Sequence, residues 1–537
     1  MIDRRRFIGI GAAAGLLTGR EIDRAFAADA KAVPGPTVVT NAGKVRGLQL
    51  DKVAAFKGVA YGASTAPPNR FLPPSPPKPW TGVRDAWELG NRSPQLPESF
   101  HGFVPPEVEV MDRDEAMSED CLRLNVWTPA VGPGKRPVMV WLHGGGFTSG
   151  SGGFVCYDGG QLARKHNVVA ITVNHRLSVF GYLYLAGLGG EHYANASNVG
   201  NLDIVLALEW VRDNIAAFGG DSGNVTIFGQ SGGGGKVSTL LSMPAAKGLF
   251  HRAIVQSGAS LRALPLEAAD RSTKAYLAAL KLEPAQIDRL QSLTVDQLLA
   301  PTKTGGPPLA LAPVMDGHSL PRHPFDPTAP EISAGVPLLL GTVETEVTFF
   351  PNQILDPIDE ANLLKRVKEQ LGKATDEQVR QLVAVYRKGR PQASNTDLFL
   401  IIASDASFRA STNLMAERKA AQGRGAVYQY YFTWRSPVRE GKLRSFHTVE
   451  IPFVFDNVDG AKSMTGSGTD RYVLADKMSA AWAAFAYSGN PNHSGLPAWT
   501  AFDAGTRATM IFDDDCKVVN DPHGAEQSLL RSILAGA

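Results

Sequence analysis

The sequence has few cysteines. Its 537 residues include only three, Cys121, Cys156 and Cys516, and none of them lies in a C-x-x-C pair. Because each disulfide uses two cysteines, at most one bridge can form, and a disulfide-stapled framework is excluded. We expect the three thiols to pack in the interior, where free cysteine is most often found.

The sequence also lacks an excess of either charge. It has 54 lysines and arginines against 52 aspartates and glutamates, a formal net charge of +2. The basic residues form no cluster beyond the N-terminus. A nucleic-acid partner is therefore not predicted.

Long apolar runs are missing as well. No stretch beyond the N-terminus approaches the roughly 18 apolar residues that a membrane-spanning helix requires. The composition, 44% hydrophobic and 20% charged, is that of an ordinary globular protein. A chain of this length can form one large domain or two to three smaller ones. We expect a soluble mature chain without a membrane span.

The N-terminus has the pattern of an export signal. Three arginines at positions 4–6 precede a short apolar stretch of small residues, and Ala25-Phe26-Ala27 forms an A-x-A cleavage site. This pattern predicts a twin-arginine signal over residues 1–27, which places the mature chain, residues 28–537, in the periplasm or outside the cell. A retained segment stays open as an alternative, because residues 20–24 are unusually charged.

Seven short apolar runs are typical of buried parallel strands. Helical patterns lie between several of them, as at residues 202–217, where apolar residues recur every three or four positions. This alternation predicts an α/β protein, a central and mostly parallel sheet flanked by helices, with ligands at the carboxyl ends of its strands. The proline-rich patch at 67–79 is expected to wrap the surface within one domain. The seven runs are 138–142, 168–173, 225–228, 253–256, 336–341, 427–432 and 509–512.

The glycine-rich stretch FGQSGGGGK at residues 228–236 has two interpretations. A phosphate-binding loop would need a glycine at position 230 and a serine or threonine after Lys236, and the chain has Gln230 and Val237 there. The same letters also fit G-x-S-x-G, in which glycines flank a serine on a sharp strand-to-helix turn. The predicted strand just before it favours the second interpretation, with Ser231 as the nucleophile.

A second glycine motif supports a catalytic role. His143-Gly144-Gly145-Gly146 directly follows the predicted strand at 138–142. Acyl transfer through a tetrahedral oxyanion needs several backbone N–H groups aimed at one point, and consecutive glycines allow that close approach. The two motifs together predict a serine hydrolase.

A catalytic serine also needs a histidine base and a carboxylate that orients the histidine. In α/β hydrolases both follow the serine along the chain, the carboxylate first. Glu344 and Glu346 both come after the predicted strand at 336–341, and the residue pattern does not choose between them. The pattern also leaves the base open, although His447 lies just beyond a predicted strand. The histidines after the serine are His251, His318, His323, His447, His493 and His523.

Longer stretches of the chain resemble the type-B carboxylesterase family, a large esterase and lipase family that includes bacterial para-nitrobenzyl esterases and the cholinesterases. The resemblance runs from about residue 40 nearly to the C-terminus. It implies one α/β-hydrolase domain, with loop and helix insertions over the active site. The matching stretches include SEDCLRLNVWTP (118–129), HGGGFTSGSG (143–152), NHRLSVFGYL (174–183), GTVETEV (341–347) and FHTVEIPFVF (446–455).

The resemblance implies a role for each site residue. Ser231 matches the nucleophile, Glu346 the acid and His447 the base, and the oxyanion donors would be the N–H groups of Gly145, Gly146 and Gly232. The implied activity is hydrolysis of a small-molecule carboxylic ester through an acyl-enzyme, with no cofactor and no metal. A lipase or acyltransferase with the same triad remains an alternative, as does a non-catalytic binding protein on this fold.

The chain departs from the family's pattern at several positions. The family's G-E-S-A-G has Gln230 and Gly232 here, and Val347 follows the predicted acid in place of a common glycine. The family pairs the cysteine at position 121 with another some 27 residues upstream, where this chain has Ser93, so that disulfide is not expected. No tryptophan lies between Ser93 and Cys121. Cholinesterases have a choline-stacking tryptophan in the corresponding loop, so the resemblance implies that cationic choline esters are poor candidate substrates.

Overall fold

The computed structural model describes residues 32–96, 104–113, 115–303, 305–350 and 355–536. Within these residues 13 strands form one sheet. The strands are β1 (Val33–Val39), β2 (Lys44–Leu50), β3 (Val53–Ala60), β4 (Val83–Asp85), β5 (Arg123–Thr128), β6 (Arg136–Leu142), β7 (Val169–Val173), β8 (Gly220–Gln230), β9 (Arg252–Gln256), β10 (Leu338–Val343), β11 (Val427–Phe432), β12 (Ala508–Phe512) and β13 (Lys517–Asn520).

The centre of the sheet is parallel. The strand order is β1-β2-β3-β5-β7-β6-β8-β9-β10-β11-β12-β13, and β4 pairs with β2. All pairs from β7 to β12 are parallel, whereas β1, β2, β3, β5 and β7 pair antiparallel in succession and β13 pairs antiparallel with β12. The predicted α/β fold class is confirmed.

All seven predicted strands are present, as β6 to β12. The sequence prediction missed β1 to β5 and β13. Several of these, such as β4 and β13, are exposed or half-exposed along their length. A strand at a sheet edge mixes polar with apolar residues, so it does not produce the unbroken apolar run that marks a strand buried on both faces.

The helices flank the sheet. The predicted helix at 202–217 is found as Val199–Asn214, followed by a 3₁₀ turn at Ile215–Phe218. The α-helices are α1 (Pro106–Glu109), α2 (Gly160–His166), α3 (Ser178–Tyr182), α4 (Ala186–Gly189), α5 (Val199–Asn214), α6 (Gly232–Leu240), α7 (Leu266–Ala279), α8 (Val295–Leu299), α9 (Glu360–Leu371), α10 (Asp376–Gly389), α11 (Asn395–Ser404), α12 (Ala410–Ala420), α13 (Ile451–Val454), α14 (Lys462–Thr465), α15 (Asp470–Ser488) and α16 (Gly524–Gly536).

Both faces of the sheet are buried. In β6 successive side chains point to opposite faces, so Trp141 belongs to one apolar core and Val140 to the other. Trp141 packs edge-on against Phe228 and Phe455, with ring centroids 4.9 and 5.1 Å away. Helix α15 contributes Trp482 to this core, while α5 contributes to the opposite one.

The proline-rich patch at 67–79 forms neither helix nor strand and is largely exposed, as a surface wrap would be. Two of its residues anchor it. Phe71 is buried, and the guanidinium of Arg70 donates to both carboxylate oxygens of Glu119 at 2.6 and 2.7 Å.

The three cysteines are buried and unbridged, as expected for packing residues. Burial raises the pKa of the Cys121 thiol to about 12. The Ser93 side chain interacts with this thiol and opposes part of the rise in its pKa. Among the helices of the described ranges, none is long and apolar enough to cross a membrane.

Candidate active site

Ser231 lies on the turn between β8 and α6. Its backbone is in a strained conformation, with φ of 58° and ψ of −126°. The flanking glycines are required by close packing: a Cβ on Gly229 would lie 2.6 Å from the carbonyl oxygen of Leu142, and one on Gly233 only 1.9 Å from it. The sequence G-x-S-x-G thus produces the sharp turn that exposes a serine at the carboxyl edge of the sheet.

The glycine loop at 143–146 follows the neighbouring strand β6. Gly145 and Gly146 have φ of 81° and 61°, in the region that favours glycine. In the part of the chain that the structure describes, the N–H groups of these two residues donate to no protein acceptor. Gly232 is the first residue of α6, where an N–H has no partner within the helix. Three unused donors therefore lie around Ser231.

Glu346 and His447 meet in the buried interior. Glu346 begins the short turn Glu346–Phe349 after β10, and His447 lies in the loop that follows β11. The Nδ1 of His447 is 2.5 Å from the Oε2 of Glu346, and the other carboxylate oxygen accepts the N–H of Val343 at 3.0 Å. Because an ionised carboxylate only accepts, Nδ1 carries the hydrogen and Nε2 is left as the basic nitrogen.

The structure separates the two glutamates between which the residue pattern did not choose. The carboxylate of Glu344 pairs with the half-exposed Arg435 at 3.2 Å. Only Glu346 of the two bonds to His447 among the described residues.

The other candidate histidines have partners elsewhere. Among the described residues, none of the five lines the cavity at Ser231. Their neighbours are the Val225 N–H for His251, Asp316 for His318, the Ala263 N–H for His323, the Lys477 carbonyl for His493 and Glu526 for His523.

Ser231 and His447 face a common cavity of about 670 Å³. Within the described ranges the serine hydroxyl makes no direct hydrogen bond to the imidazole. The amide nitrogen of Gln230 packs against the imidazole, 3.2 Å from Nδ1 and 3.3 Å from Nε2. Serine–histidine contacts are often long without substrate and tighten when substrate binds.

The cavity wall is largely apolar. Phe349 packs edge-on against the imidazole of His447 and Phe350 packs at a tilt, with ring centroids at 5.3 and 5.7 Å. Among the described lining residues no aspartate or glutamate is present, and Lys303 is the only lysine or arginine. Other apolar lining residues are Leu96, Val104, Val108, Phe154, Tyr157, Ile451 and Met464. This surface suits an uncharged, apolar ligand.

Two buried ionisable residues near the site were missed by the sequence analysis. Glu450 is fully buried, and burial together with the charge of Glu346 raises its pKa to about 8. Its position inside the apolar run FHTVEIPFVF could have indicated it. Lys236 is also fully buried, and burial lowers its pKa to about 7. Its place in the glycine-rich stretch 228–236 had suggested only a phosphate-loop lysine.

Across the described ranges, no group of three or more histidine, cysteine, aspartate or glutamate side chains is placed to hold a metal ion.

Comparisons with known proteins identify the family of the chain. Residues 34–528 match the profile of the Carboxylesterase family. The chain is 35% identical to the para-nitrobenzyl esterase of Bacillus subtilis (strain 168) over 502 residues, 92% of this chain and 98% of that protein. It is 34% identical to the phenmedipham hydrolase of Pseudarthrobacter oxydans over 499 residues, 89% of this chain and 95% of that protein.

Solved structures show the same relation. A carboxylesterase of Geobacillus stearothermophilus superposes with a TM-score of 0.79 at 37% identity, covering 92% of this chain and 99% of that one. A para-nitrobenzyl esterase structure superposes with a TM-score of 0.77 at 33% identity, covering 92% of this chain and 99% of that one. The chain belongs to the carboxylesterase family and is a carboxylic-ester hydrolase of the α/β-hydrolase fold.

Proposed function

We propose that this esterase works through Ser231, His447 and Glu346. The Nε2 of His447 takes the proton of the Ser231 hydroxyl while Oγ attacks the ester carbonyl carbon. The imidazolium, held by Glu346, then protonates the leaving alcohol. Water, deprotonated by the same nitrogen, attacks the acyl-enzyme, and the carboxylic acid is released with the serine restored.

The tetrahedral intermediates carry a negative oxygen, and the N–H groups of Gly145, Gly146 and Gly232 are the proposed donors to it. Their support is that these N–H groups have no protein acceptor among the described residues and lie next to Ser231. Removing one preorganised donor of this kind typically lowers kcat by about a hundred- to a thousandfold.

One observation carries the proposal. The 2.5 Å contact between Glu346 and His447 fixes the imidazole tautomer, and it does so beside a serine held on a strained strand-to-helix turn in the same cavity. A histidine–carboxylate pair with only a structural role does not need to share a cavity with such a serine.

The substrate class we propose is an uncharged ester with apolar groups on both sides. The support is the aromatic and aliphatic wall and the absence of carboxylates among its described residues. Two relatives are named for hydrolysis of a para-nitrobenzyl ester and of phenmedipham. A para-nitrobenzyl ester is therefore a suitable probe beside the para-nitrophenyl series.

The test compares hydrolysis of para-nitrophenyl acetate, butyrate and decanoate by the wild type, Ser231→Ala and Ser257→Ala. Ser257 is a matched control, since it also follows a strand with positive φ, of 46°, but does not line the cavity. We expect Ser231→Ala to lose activity while keeping its thermal midpoint, and Ser257→Ala to remain active. An active Ser231→Ala variant would refute the proposal.

The para-nitrophenyl series, together with assays on triglycerides and on added alcohol, separates the alternatives. Preference for decanoate together with cleavage of long-chain triglycerides would indicate a lipase. Ester formation at high alcohol concentration would indicate acyl transfer. A wild type inert on every ester would favour a non-catalytic binding protein.

We also propose export through the twin-arginine route. Residues 1–27 lie outside the described residues, and the support is their sequence alone. Replacing the arginines at 4–6 by lysine should retain the unprocessed chain in the cytoplasm, whereas the wild type should appear in the periplasm or medium with Ala28 at its N-terminus. Equal distribution of both proteins would contradict export by this route.

A further inference from the structure

Lys236 has no charged partner although it is fully buried in α6. In the part of the chain described, no carboxylate lies within ion-pair distance of its ammonium. Its Nζ donates to the carbonyl oxygens of His143 and Gly146 at 2.9 and 3.0 Å, and it lies over the ring of Phe147. Burying a lysine without a counter-ion is costly, so these contacts call for an explanation.

The two carbonyls that Lys236 binds bracket the glycine loop. The two carbonyls between them are held separately: Nδ1–H of His143 donates to Gly144 O at 2.8 Å, and the N–H and hydroxyl of Ser149 donate to Gly145 O at 3.1 and 3.2 Å. Four consecutive peptide carbonyls, those of residues 143–146, therefore accept hydrogen bonds from neighbouring groups of the protein.

This anchoring sets the direction of the N–H groups. In a planar trans peptide the C=O and the following N–H point in opposite directions. Holding the Gly144 and Gly145 carbonyls therefore aims the N–H groups of Gly145 and Gly146 away from those anchors. Lys236 holds the peptides on either side of this pair, so the loop cannot rotate as a unit.

Lys236 also draws the loop close to α6. A Cβ on Gly232 would lie 2.1 Å from the carbonyl oxygen of Gly146, the same oxygen that accepts from Lys236. The family resemblance places alanine at this position. The glycine here and the buried lysine are thus two parts of one local arrangement, in which the loop sits nearer the helix than a methyl group allows.

We propose that Lys236 is a positioning residue of the oxyanion hole, clamping the His143 and Gly146 carbonyls so that the Gly145 and Gly146 N–H groups converge on the reacting carbonyl oxygen. This inference rests on the proposed function. The amine has at least two N–H bonds in either protonation state, enough for both carbonyls.

Lys419 provides a matched control. It is also fully buried, and its Nζ donates to two backbone carbonyls, those of Ser333 and Ala334, at 2.8 Å each. It lies on α12 and does not line the cavity. A purely structural role for a buried lysine predicts that Lys236→Met and Lys419→Met behave alike.

The experiment measures kcat and KM for para-nitrophenyl butyrate and the affinity of an alkyl trifluoromethyl ketone. Ser231 Oγ adds to the ketone carbon and its proton passes to His447, so the adduct oxygen occupies the oxyanion position. Because a displacement of about 1 Å can cost about a hundredfold, we expect Lys236→Met to lower kcat and ketone affinity by about that factor. KM should change little.

Lys236→Gln separates the clamp from other effects. Its amide offers two N–H bonds, and we expect it to recover part of the lost kcat and ketone affinity. Lys419→Met should lower the thermal midpoint while leaving both quantities of the folded enzyme near wild type.

Gly232→Ala tests the same contact from the other side, and it keeps the proposal testable if Lys236→Met does not fold. The added methyl should displace Gly146 and lower kcat and ketone affinity. In a folded Lys236→Met background the same change should cost much less, because the loop is already released.

Two results would overturn the inference: wild-type kcat and ketone affinity in folded Lys236→Met, or in Gly232→Ala. Failure of the proposed function is a separate result, since it would appear as activity in Ser231→Ala. If Ser231→Ala is inactive while Lys236→Met matches wild type, only the role of Lys236 is refuted.

Discussion

Replacing Glu346 by glutamine tests the triad at its third member with almost no change of shape. The carboxylate accepts two hydrogen bonds, from Val343 N–H and from His447 Nδ1–H. A glutamine has one oxygen and one NH₂, so one of these donors must face an NH₂ group. If the oxygen turns to His447, the buried N–H of Val343 is left unpaired, at a cost of about 1–3 kcal/mol.

The favoured orientation therefore keeps the oxygen on Val343 and turns the NH₂ toward His447. Nδ1 must then accept, and the ring hydrogen moves to Nε2, the nitrogen needed as the base. The loss expected for a wrong tautomer is about ten-thousandfold in kcat, or about 5 kcal/mol in activation free energy. KM should change far less, because substrate contacts are retained.

The assay is steady-state hydrolysis of para-nitrophenyl butyrate, with thermal unfolding as the check on folding. Glu344→Gln is the matched control: it removes a carboxylate two residues away that pairs with Arg435 instead of the histidine. We expect that variant to keep kcat within about twofold, because the carboxylate of Glu344 pairs with the half-exposed Arg435 and makes no bond to His447 among the described residues. A Glu346→Gln variant with more than about a tenth of wild-type kcat would refute the tautomer argument.

Three further predictions concern stability. The folded-state pKa of Glu450 is raised from its ordinary 4.5 to about 8, so between these values the folded chain holds a proton that the unfolded chain releases, and stability falls as pH rises. The thermal midpoint of Glu450→Gln should therefore rise relative to that of the wild type between about pH 5 and pH 9, whereas a constant difference would contradict this. Ser93→Cys should bridge to Cys121 under oxidising conditions and stabilise the fold by about 3–4 kcal/mol, as measured by unfolding with and without reductant. The bridge would leave only Cys156 and Cys516 as free thiols, so titration of all four thiols in the unfolded, oxidised variant would count against it. In the wild type the guanidinium of Arg176 lies 2.6 Å from the buried carboxylate of Asp203, and Arg176→Met leaves that carboxylate without its partner. The free energy of unfolding, measured in urea, should fall by about 3–5 kcal/mol, and a fall below about 1 kcal/mol would show that the pair does not stabilise the fold.

The sequence predicted the central sheet because β6 to β12 are covered on both faces, and such strands contain little besides apolar residues. It did not predict β4 or β13, because short, exposed strands share their composition with loops. Their pairing depends on the neighbouring strand rather than on their own residues.

The strand-to-helix turn at Ser231 could be predicted because its motif is local: the glycines that allow the turn lie within two positions of the serine. The partner of His447 could not be chosen from the local pattern, because Glu344 and Glu346 follow the same strand. Their difference arises where the chain turns after Val343, which sends one carboxylate inward and the other to Arg435.

Lys236 shows a further limit. A lysine in a glycine-rich stretch is most simply interpreted as exposed or as a phosphate ligand. Its burial depends on two carbonyls some 90 residues earlier in the chain. Nothing in the residues around position 236 encodes those partners.

The strand order has a consequence for how activity is acquired during folding. Ser231 follows β8, Glu346 follows β10 and His447 follows β11, so the proposed triad spans more than two hundred residues of chain. Contacts so distant in sequence form late, because the intervening loops must first be closed. We therefore expect esterase activity during refolding to appear after most of the secondary structure. During unfolding, we expect activity to be lost as soon as β11 separates from β10, before the rest of the sheet is lost. Ester hydrolysis then reports completed assembly of this sheet rather than its nucleation.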